Sequence, residues 1–468
     1  MQGDALETLR ATLRGTEYAG RLWIVGGYVR DKLLGRLTDA AVDDIDLVLE
    51  GDALAVARLL HARGVTDHHP VEYGQFGTTS VAVGGAKVEV VTARAETYRR
   101  GSRKPIVTPG TLETDARRRD FTVNTLLENL HTGEVRDPTG QGRADLAARL
   151  LRAPADPALI FTDDPLRMLR ACRFAAKLGF EVEPQTHAAL SACAHLCNPE
   201  HGVSYERVRD ELVKTLLTAD AARGLEMMRA TGLLAQFAPE LAGMHGVTQN
   251  RFHRYDVWEH TLVALRNLPP EAPLPVRLGT LFHDIGKPPT RTLDPQTGDG
   301  HFYGHQDVGA QMTRTVMNRL RFSSDEINDV VNLVALHMRY GDYQPGVWTD
   351  ASVRRLIRAV GPYRHDLFTL ARADIAAVDP DSPPKADLAG LQERMERLEA
   401  EAHITQVVSP LDGLAIMAFL DIPGGPAVGK IKDALTDAVV AGELAPDDLE
   451  GAKRMAKTLW EETARDGD

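Results

Sequence analysis

Two aspartates near the start of the chain are spaced so that they could share a metal ion. Asp44 and Asp46 belong to an apolar run that ends at Leu49, which is typical of a strand. Because alternate residues of a strand share one face, the two carboxylates should point to one spot. Hard oxygen ligands suit Mg²⁺, and Mg²⁺ beside a phosphate suits in-line displacement at phosphorus.

A glycine pair lies upstream of these aspartates, at the end of another apolar strand. Gly26 and Gly27 follow Leu22–Val25, and the helix expected to start there carries Arg30 one turn later. Since glycine has no Cβ, the backbone at this turn can approach a triphosphate closely, and Arg30 adds positive charge. The pattern therefore predicts a nucleotide beside the two carboxylates and favours nucleotidyl transfer.

A basic segment follows at residues 92–119, which contain eight arginine or lysine residues and three carboxylates. The whole chain has a formal net charge of −12, which argues against a surface that coats nucleic acid broadly. A local basic patch beside an acidic metal site favours a polyanionic substrate. A solvated arginine-rich loop is the alternative interpretation.

Charged residues recur at three-residue spacing in the next helical stretch. Asp164, Arg167 and Arg170 would lie on one helix face, with Thr162 as the expected N-cap and Pro165 near the helix start. A carboxylate and a guanidinium side by side can read the edge of a base. An exposed ion pair would explain the spacing alone, but the glycine and aspartate pairs favour nucleotide selection.

A second set of candidate metal ligands lies in the middle of the chain. An adjacent His-Asp pair ends an apolar helix, and further histidines and an aspartate occur in separate helical stretches. Imidazole combined with carboxylate suits a first-row divalent metal such as Mn, Ni, Co or Fe. The candidates are His260, His283, Asp284, His305, His337 and Asp374.

Composition and patterning restrict the class of protein. The 468 residues are 43% hydrophobic and 26% charged, which indicates about three or four globular domains. We find no run of about 18 apolar residues and no signal segment, so we expect a cytoplasmic protein without a membrane span. Cys193 and Cys197 are interpreted as reduced core residues rather than as a zinc pair.

Several of these segments together resemble the class II tRNA nucleotidyltransferases, which build or repair the 3′ CCA end of tRNA without a nucleic-acid template. Bacterial poly(A) polymerases share the head and neck motifs of that family. The histidine-rich region resembles the HD phosphohydrolase superfamily. The matching nucleotidyltransferase segments are Gly26–Asp31, Asp44–Asp46, Arg118–Asn124, Asp163–Arg167, Ser204–Leu212 and Pro423–Gly429.

The resemblance to the nucleotidyltransferases implies roles for residues between Gly26 and Arg173. Asp44 and Asp46 would hold the catalytic Mg²⁺, and Glu89, on an adjacent strand, is a candidate third carboxylate. Asp164 and Arg167 would act as an amino-acid template that pairs with C or A. The template motif begins with Asp163 here, where the family usually has Glu. The candidate nucleotide-binding residues are Gly26, Gly27, Arg30, Arg119, Asp164, Arg167, Arg170 and Arg173.

The HD resemblance implies two metal positions that share Asp284. His305 and His337 would complete the second position, and Lys287 would neutralise charge on the substrate. Similar regions in some relatives hydrolyse 2′,3′-cyclic phosphates, 2′-nucleotides or phosphomonoesters. The implied primary ligands are His260, His283, Asp284 and Asp374.

We therefore predict an α+β protein with a mixed-sheet nucleotidyltransferase head and an elongated, all-helical remainder. The regions are the head at 1–150, a neck at 151–245, an HD body at 246–385 and a helical tail at 386–468 that is expected to contact tRNA. The head sheet is expected to have five strands, and the Pro-rich stretch 379–384 is expected to be a linker. The expected strands are Leu22–Val25, Ile45–Leu49, Thr78–Val83, Lys87–Val91 and Gly133–Asp137.

The predicted activity is addition of C and A to the tRNA 3′ end from CTP and ATP, with phosphohydrolase activity in the HD region. A-only or CC-only addition, poly(A) tailing, and an HD phosphohydrolase with an RNA-binding head are the alternatives. The loop Ala95–Arg117, which in the family governs the switch from C to A, is not truncated, and this disfavours CC-only addition. The sequence does not indicate an oligomeric state.

Overall fold

The computed structural model describes residues 5–37, 44–73, 77–97, 106–250, 254–341, 343–378, 386–402 and 409–465. The chain divides into two compact units, the first formed by residues up to 242 together with 319–321. The second unit is formed by 243–318 and the residues from 322 onward. The finer division into four regions stays a prediction. The expected linker 379–384 and residues 99–104 of the basic segment lie outside the described residues.

A mixed sheet forms the head of the first unit. Its strands are β1 (Trp23–Val25), β2 (Asp44–Leu49), β3 (Val71–Tyr73), β4 (Thr78–Val83), β5 (Ala86–Thr92), β8 (Leu127–Asn129) and β9 (Val135–Arg136), while β6 (Arg94–Thr97) and β7 (Ile106–Pro109) form a separate hairpin. The order across the sheet is β3-β4-β5-β2-β1-β8-β9. Strands β2 and β5 are parallel, and the other neighbours in the sheet are antiparallel.

The sheet has seven strands rather than the five that the sequence predicted. The two additional strands, β3 and β8, are three residues long and show no alternation of buried and exposed positions. Strand β8 also carries a buried carboxylate, Glu128, which accepts hydrogen bonds from Lys32 at 2.6 and 2.8 Å. Strand β9 covers only the middle of the expected Gly133–Asp137.

Five helices flank the head sheet: α1 (Ala5–Leu13), α2 (Gly27–Leu33), α3 (Ala53–Ala62), α4 (Leu112–Arg117) and α5 (Gly142–Ala148). Helix α3 begins at Asp52, whose carboxylate accepts hydrogen bonds from the Leu54 and Ala55 amides. Central strand β1 is wholly buried, and Ile45 and Leu47 of β2 are fully buried as well. The apolar core therefore fixes the strands that carry the aspartates.

The rest of the first unit is helical, with one short parallel pair of strands. Its elements are β10 (Leu150–Leu151), α6 (Pro157–Asp163), α7 (Leu166–Leu178), β11 (Glu181–Val182), α8 (Pro184–Cys193), α9 (Tyr205–Leu216), α10 (Ala221–Ala230), α11 (Leu234–Phe237) and α12 (Pro239–Ala242). The three cysteines of the chain are buried and free.

The prediction of Thr162 as an N-cap is wrong. Thr162 lies within α6, which begins at an earlier cap, since Asp156 accepts a hydrogen bond from the Ala158 amide and Pro157 takes the first helical position. Pro165 then separates α6 from α7, because it has no N–H with which to continue the helix.

The second unit is built from helices and one short hairpin. Its elements are α13 (Val257–Arg266), α14 (Leu274–Phe282), α15 (Lys287–Thr290), β12 (Thr292–Leu293), β13 (Gly300–His301), α16 (His305–Arg319), α17 (Ser324–Leu336), α18 (Asp350–Val360), α19 (Arg364–Ala376), α20 (Leu388–Ala402), α21 (Gly413–Leu420), α22 (Pro426–Ala441) and α23 (Leu449–Arg465). Within the described residues, no helix combines the length and apolar character needed to cross a membrane.

Helix α14 is the centre of this second unit. Its residues from Val276 to Phe282 are buried, and a Cβ at Gly279 would lie 3.2 Å from Leu333 of α17 and 3.3 Å from Leu370 of α19. Glycine at this position therefore allows α17 and α19 to pack closely against α14. The close packing brings the ends of three helices together, and each of these ends carries candidate metal ligands.

Candidate active site and metal centre

The head carboxylates lie side by side on two parallel strands. Asp46 of β2 is in register with Glu89 of β5 and, on its other side, with Val25 at the end of β1. Asp44 precedes Asp46 by two residues, so the three carboxylates share one face of the sheet. The structure thus brings together the residues that the sequence singled out in this region, including Glu89.

The glycine turn lies directly against one of these carboxylates. Gly26 has φ of +81°, and a Cβ at that position would lie 3.3 Å from Oδ2 of Asp46. A side chain would therefore be strained by the backbone and crowded by the carboxylate at the same time. The turn between β1 and α2 therefore presents main-chain atoms to this side of the carboxylate.

The electrostatics of this face favour a bound cation. Burial and the neighbouring Asp44 raise the pKa of Asp46 to about 6, although Arg119 acts in the opposite direction. Lys87, which the sequence reasoning missed, places its ammonium 3.6 Å from Glu89 and 4.0 Å from Asp44. Crowded carboxylates of this kind fit Mg²⁺, since the ion would relieve their mutual repulsion.

Arg119 is positioned by a buried carboxylate that the sequence reasoning also missed. Asp115 of α4 is 1% exposed and accepts a hydrogen bond from Nε of Arg119 at 2.9 Å, as well as a shorter one from Arg118. Burial disfavours its charge, but the two guanidiniums nevertheless lower the pKa of Asp115 below its ordinary value. Arg119 is therefore anchored within reach of the charge on Asp46.

Arg30, for which a nucleotide contact stays a prediction, is buried and engaged within the protein. It is 2% exposed, and its guanidinium donates to the Asp31 carboxylate at 2.8 Å and to Oδ1 of Asn124 at 2.7 Å. Its carbon Cζ also lies 5.3 Å from the centre of the Phe174 ring. In this structure the guanidinium therefore links α2 to Asn124.

A chain of hydrogen bonds runs from Arg30 to helix α7. Asn124 donates to Oδ1 of Asp120 at 3.0 Å, and Nε of Arg170 donates to Oδ2 of the same carboxylate at 2.9 Å. Asp120 is buried, yet the Arg170 guanidinium and the Asn124 amide lower its pKa to about 2. The network couples the glycine turn to α7. Arg170 is thus engaged with Asp120 and not directed freely towards a base.

The candidate template residues lie at the break between α6 and α7. Asp164 falls between the two helices, so the prediction that it shares a helix face with Arg167 is wrong. Its carboxylate accepts two hydrogen bonds of 3.2 Å from Arg207. Arg167 donates to the Ile160 carbonyl at 3.2 Å, and Arg173 is paired with Glu211 at 2.6 Å. Both Asp164 and Arg167 are half-buried, which leaves part of each side chain accessible to a ligand.

Six side chains of the second unit converge as two sets of potential metal donors. In each set the ligand atoms lie within 4.8 Å of one another. The closest contacts are 2.8 Å between Nε2 of His260 and Oδ1 of Asp374, and 3.2 Å between the Nε2 atoms of His305 and His337. The sets are His260, His283 and Asp374, and Asp284, His305 and His337.

The histidine tautomers fit a metal site. Nδ1 of His283, His305 and His337 lies 2.8, 2.8 and 2.6 Å from a main-chain carbonyl oxygen, which can only accept. Each ring therefore donates from Nδ1, which leaves Nε2 as the nitrogen that can face a metal ion. Burial lowers the pKa of both His305 and His337, the latter to about 3, so their two Nε2 lone pairs face each other. A divalent cation between them would remove that repulsion.

Asp284 joins the two donor sets because its oxygens point to different sets. Oδ2 lies 3.2 Å from Nε2 of His283, whereas Oδ1 lies 3.6 Å from Nε2 of His305 and 4.0 Å from that of His337. Burial disfavours a charge on His283, but the Asp284 and Asp374 carboxylates raise its pKa to about 10. Asp284 thus has the geometry of a bridging ligand, as the sequence reasoning implied.

Glycine at position 286 allows this convergence. A Cβ there would collide with the His305 carbonyl oxygen, so only glycine lets the start of α16 approach the His283-Asp284 turn. Lys287 follows, and its ammonium contacts Oδ2 of Asp284 at 2.7 Å and Gln249 at 2.8 Å. A cavity of about 480 Å³ opens beside these residues.

Three family matches cover most of the chain. The poly A polymerase head domain matches residues 22–152, the "Probable RNA and SrmB- binding site of polymerase A" matches 179–244, and the HD domain matches 234–405. The chain is 38% identical to the A-adding tRNA nucleotidyltransferase of Deinococcus radiodurans, over 72% of this chain and 77% of that protein. It is 37% identical to the CC-adding tRNA nucleotidyltransferase of Thermus thermophilus, over 72% of this chain and 75% of that protein.

A solved structure supports the same fold. The CCA-adding enzyme of Bacillus stearothermophilus, crystallised in complex with CTP, superposes with a TM-score of 0.64 and 23% identity. The match covers 99% of this chain and 98% of the other.

Proposed function

This chain belongs to the class II tRNA nucleotidyltransferases that carry an HD domain, and from that premise we propose that it completes the CCA end of tRNA. It is an enzyme that adds nucleotides to tRNA 3′ ends, so the proposal concerns which nucleotides it adds and which residues act. The observation that carries the proposal is the row of Asp44, Asp46 and Glu89 against the Gly26–Gly27 turn.

Each part of the head would act on a different part of the reaction. Bound Mg²⁺ supplies Lewis-acid chemistry at the carboxylates, which assists attack of the tRNA 3′-hydroxyl on the α-phosphate and departure of pyrophosphate. The backbone of the glycine turn would admit the triphosphate, because Gly26 places no side chain of its own against Asp46. Arg119, anchored by Asp115, contributes positive charge to the phosphates.

The choice of base is assigned to the break between α6 and α7. The Asp164 carboxylate can accept from an exocyclic amine, and the Arg167 guanidinium can donate to ring acceptors. Asp164 is paired with the exposed Arg207, whereas Arg170 and Arg173 are paired with the buried carboxylates of Asp120 and Glu211. We therefore assign direct base contacts to Asp164 and Arg167 and a positioning role to the other two arginines.

A-only addition is the second candidate, and the Deinococcus relative favours it. The CC-adding relative has nearly the same identity to this chain, so overall similarity does not separate the specificities. Full CCA addition is favoured by the untruncated segment between Ala95 and Arg117, of which β6, β7 and α4 are described. The tail is proposed to contact tRNA.

A single assay separates these activities. The protein is incubated with CTP, ATP or both, on tRNA ending before CCA and on tRNA ending after CC. Complete CCA addition requires C incorporation on the first tRNA and A incorporation on both when both nucleotides are present. Extension of the second tRNA alone would establish A-only addition, and a long A tail on generic RNA would establish poly(A) polymerase activity.

Paired variants test whether the head carboxylates carry this reaction. We expect Asp44→Ala combined with Asp46→Ala to abolish nucleotide addition. The matched control is Glu72→Ala, which removes a carboxylate from the same sheet and should leave addition unchanged. Full activity in the double variant would refute the assignment.

We further propose that the HD site hydrolyses phosphoesters at RNA 3′ ends, such as 2′,3′-cyclic phosphates and 2′-phosphates. The two donor sets that share Asp284 support it, because a paired metal site can bind both the attacking and the leaving oxygen. His283→Ala with Asp284→Ala should abolish hydrolysis and leave nucleotide addition intact. Hydrolysis that persists in this variant would refute the proposal.

A further inference from the structure

Three consecutive aromatic residues, His301, Phe302 and Tyr303, line the cavity beside the second set of donors. His301 and Tyr303 border the same space of about 480 Å³ as Asp284 and Lys287. Tyr303 is 79% exposed, the highest value among the large hydrophobic side chains of the described residues. Apolar ring surface in water is unfavourable, so a ligand that covered this ring would gain affinity from doing so.

The two rings form a parallel stack with one open face. Their centroids are 5.6 Å apart, and their planes differ by 9°. At this centroid separation the parallel rings are offset, and the 79% exposure of Tyr303 leaves a face of its ring in contact with solvent. A flat ligand could continue the stack on that face.

The position of Tyr303 is tied to the metal donors. His301 lies in β13, which pairs with β12, and Tyr303 is two residues before His305. The intervening Phe302 carbonyl accepts hydrogen bonds from the main-chain amide of His305 at 3.2 Å and from its Nδ1 at 2.8 Å. The aromatic stack is therefore held at a fixed place relative to the ligand-bearing end of α16.

We infer that the His301–Tyr303 stack binds the base of a nucleoside phosphoester whose phosphate lies at the two donor sets. The position of the phosphate in this inference rests on the proposed phosphohydrolase function. The inference restricts the substrates to phosphoesters that carry a nucleoside. Every base has a π-face, so the stack selects for the presence of a base and not for its identity. Lys287, 2.7 Å from Asp284, provides a cation at the phosphate end.

Removing the ring should weaken nucleoside binding specifically. Stacking of a base on an aromatic side chain accounts for a roughly 5- to 150-fold difference in affinity. We expect Tyr303→Ala to lower the affinity for a nucleoside 2′-phosphate within this range and to leave the affinity for inorganic phosphate unchanged. Tyr303→Phe keeps the ring and should keep the affinity, which separates stacking from any role of the hydroxyl.

The measurement is isothermal titration of the full chain loaded with Mn²⁺. The probes are adenosine 2′-phosphorothioate, which resists hydrolysis, and inorganic phosphate. His283→Ala with Asp284→Ala gives the baseline for nucleotide bound elsewhere on the chain. Leu293→Ala is the matched control, since Leu293 is 55% exposed on the same hairpin but does not line the cavity. Hydrolysis of adenosine 2′-phosphate is measured in parallel.

The outcomes separate this inference from the proposed function. Tyr303-dependent binding of the nucleotide probe supports the stack, even where no hydrolysis occurs and the phosphohydrolase proposal fails. Hydrolysis together with equal affinity in Tyr303→Ala and the unaltered protein overturns the stack and leaves the phosphohydrolase. Absence of binding above the baseline overturns the stack as well.

Discussion

Replacing Arg170 by methionine should loosen α7 without removing its apolar contacts. In the structure the guanidinium donates to Asp120, and Asp120 has a pKa of about 2 in place of the ordinary 3.8. That difference corresponds to roughly 2 to 3 kcal/mol in favour of the folded, charged carboxylate. Removing one partner of a buried ion pair can lower the free energy of unfolding by about 3 to 5 kcal/mol. Because Arg170 is 35% exposed, we expect Arg170→Met to lower it by about 2 to 3 kcal/mol.

The stabilisation from the Asp120–Arg170 pair depends on pH with a definite sign. Asp120 has a lowered pKa in the folded state, so its contribution to stability is present above pH 4 and is lost as the pH falls towards 2. The effect of Arg170→Met should therefore be fully developed at neutral pH.

Hydrogen–deuterium exchange of peptides from α7 measures this effect locally. A loss of about 2 to 3 kcal/mol predicts roughly 30- to 150-fold faster exchange at neutral pH. Arg58→Met removes an exposed pair with Glu72 and should leave α7 unchanged. An Asp120→Asn background should abolish most of the Arg170 effect. An equally large effect in that background would refute the ion pair as its cause.

Three further predictions concern the metal-binding residues and their surroundings. Asp284→Ala should remove metal from both positions of the HD site, whereas His337→Ala should retain metal at the position formed by the other donor set, as measured by mass spectrometry of bound metal. Gly26→Ala should lower kcat/KM for nucleotide addition at least about tenfold, because its Cβ would crowd Asp46 at a strained φ, and circular dichroism would exclude unfolding. Nucleotide addition should rise with pH through about 6 as Asp46 ionises, and more Mg²⁺ should lower the midpoint; a profile flat down to pH 5 would contradict this.

The donor residues could be predicted from the sequence because their chemistry is visible in their types. His283 and Asp284 follow directly on an apolar helix. Burying a carboxylate there costs free energy unless a cation or a hydrogen-bond donor compensates its charge. The strand alternation around Asp44 and Asp46 was similarly clear, since Ile45 and Leu47 are fully buried. In both cases local pattern and chemistry agree.

The partners that hold these residues could not be predicted, because they come from distant parts of the chain. Asp120 and Arg170 are 50 residues apart, and the burial of Arg30 depends on Asn124, which follows it by 94 residues. Spacing along one helix suggested a shared face for Asp164 and Arg167, but Pro165 interrupts the helix between them. Long-range pairing therefore decided which arginines stay accessible.

Because Asp284 faces both donor sets, two metal ions held there would not bind independently. Each oxygen faces one donor set, so the first ion to arrive neutralises a charge on which the second also depends. Occupancy would then vary with metal supply in a non-additive way, in contrast to two isolated sites. Under metal scarcity, the two donor sets would then lose their ions as one coupled unit.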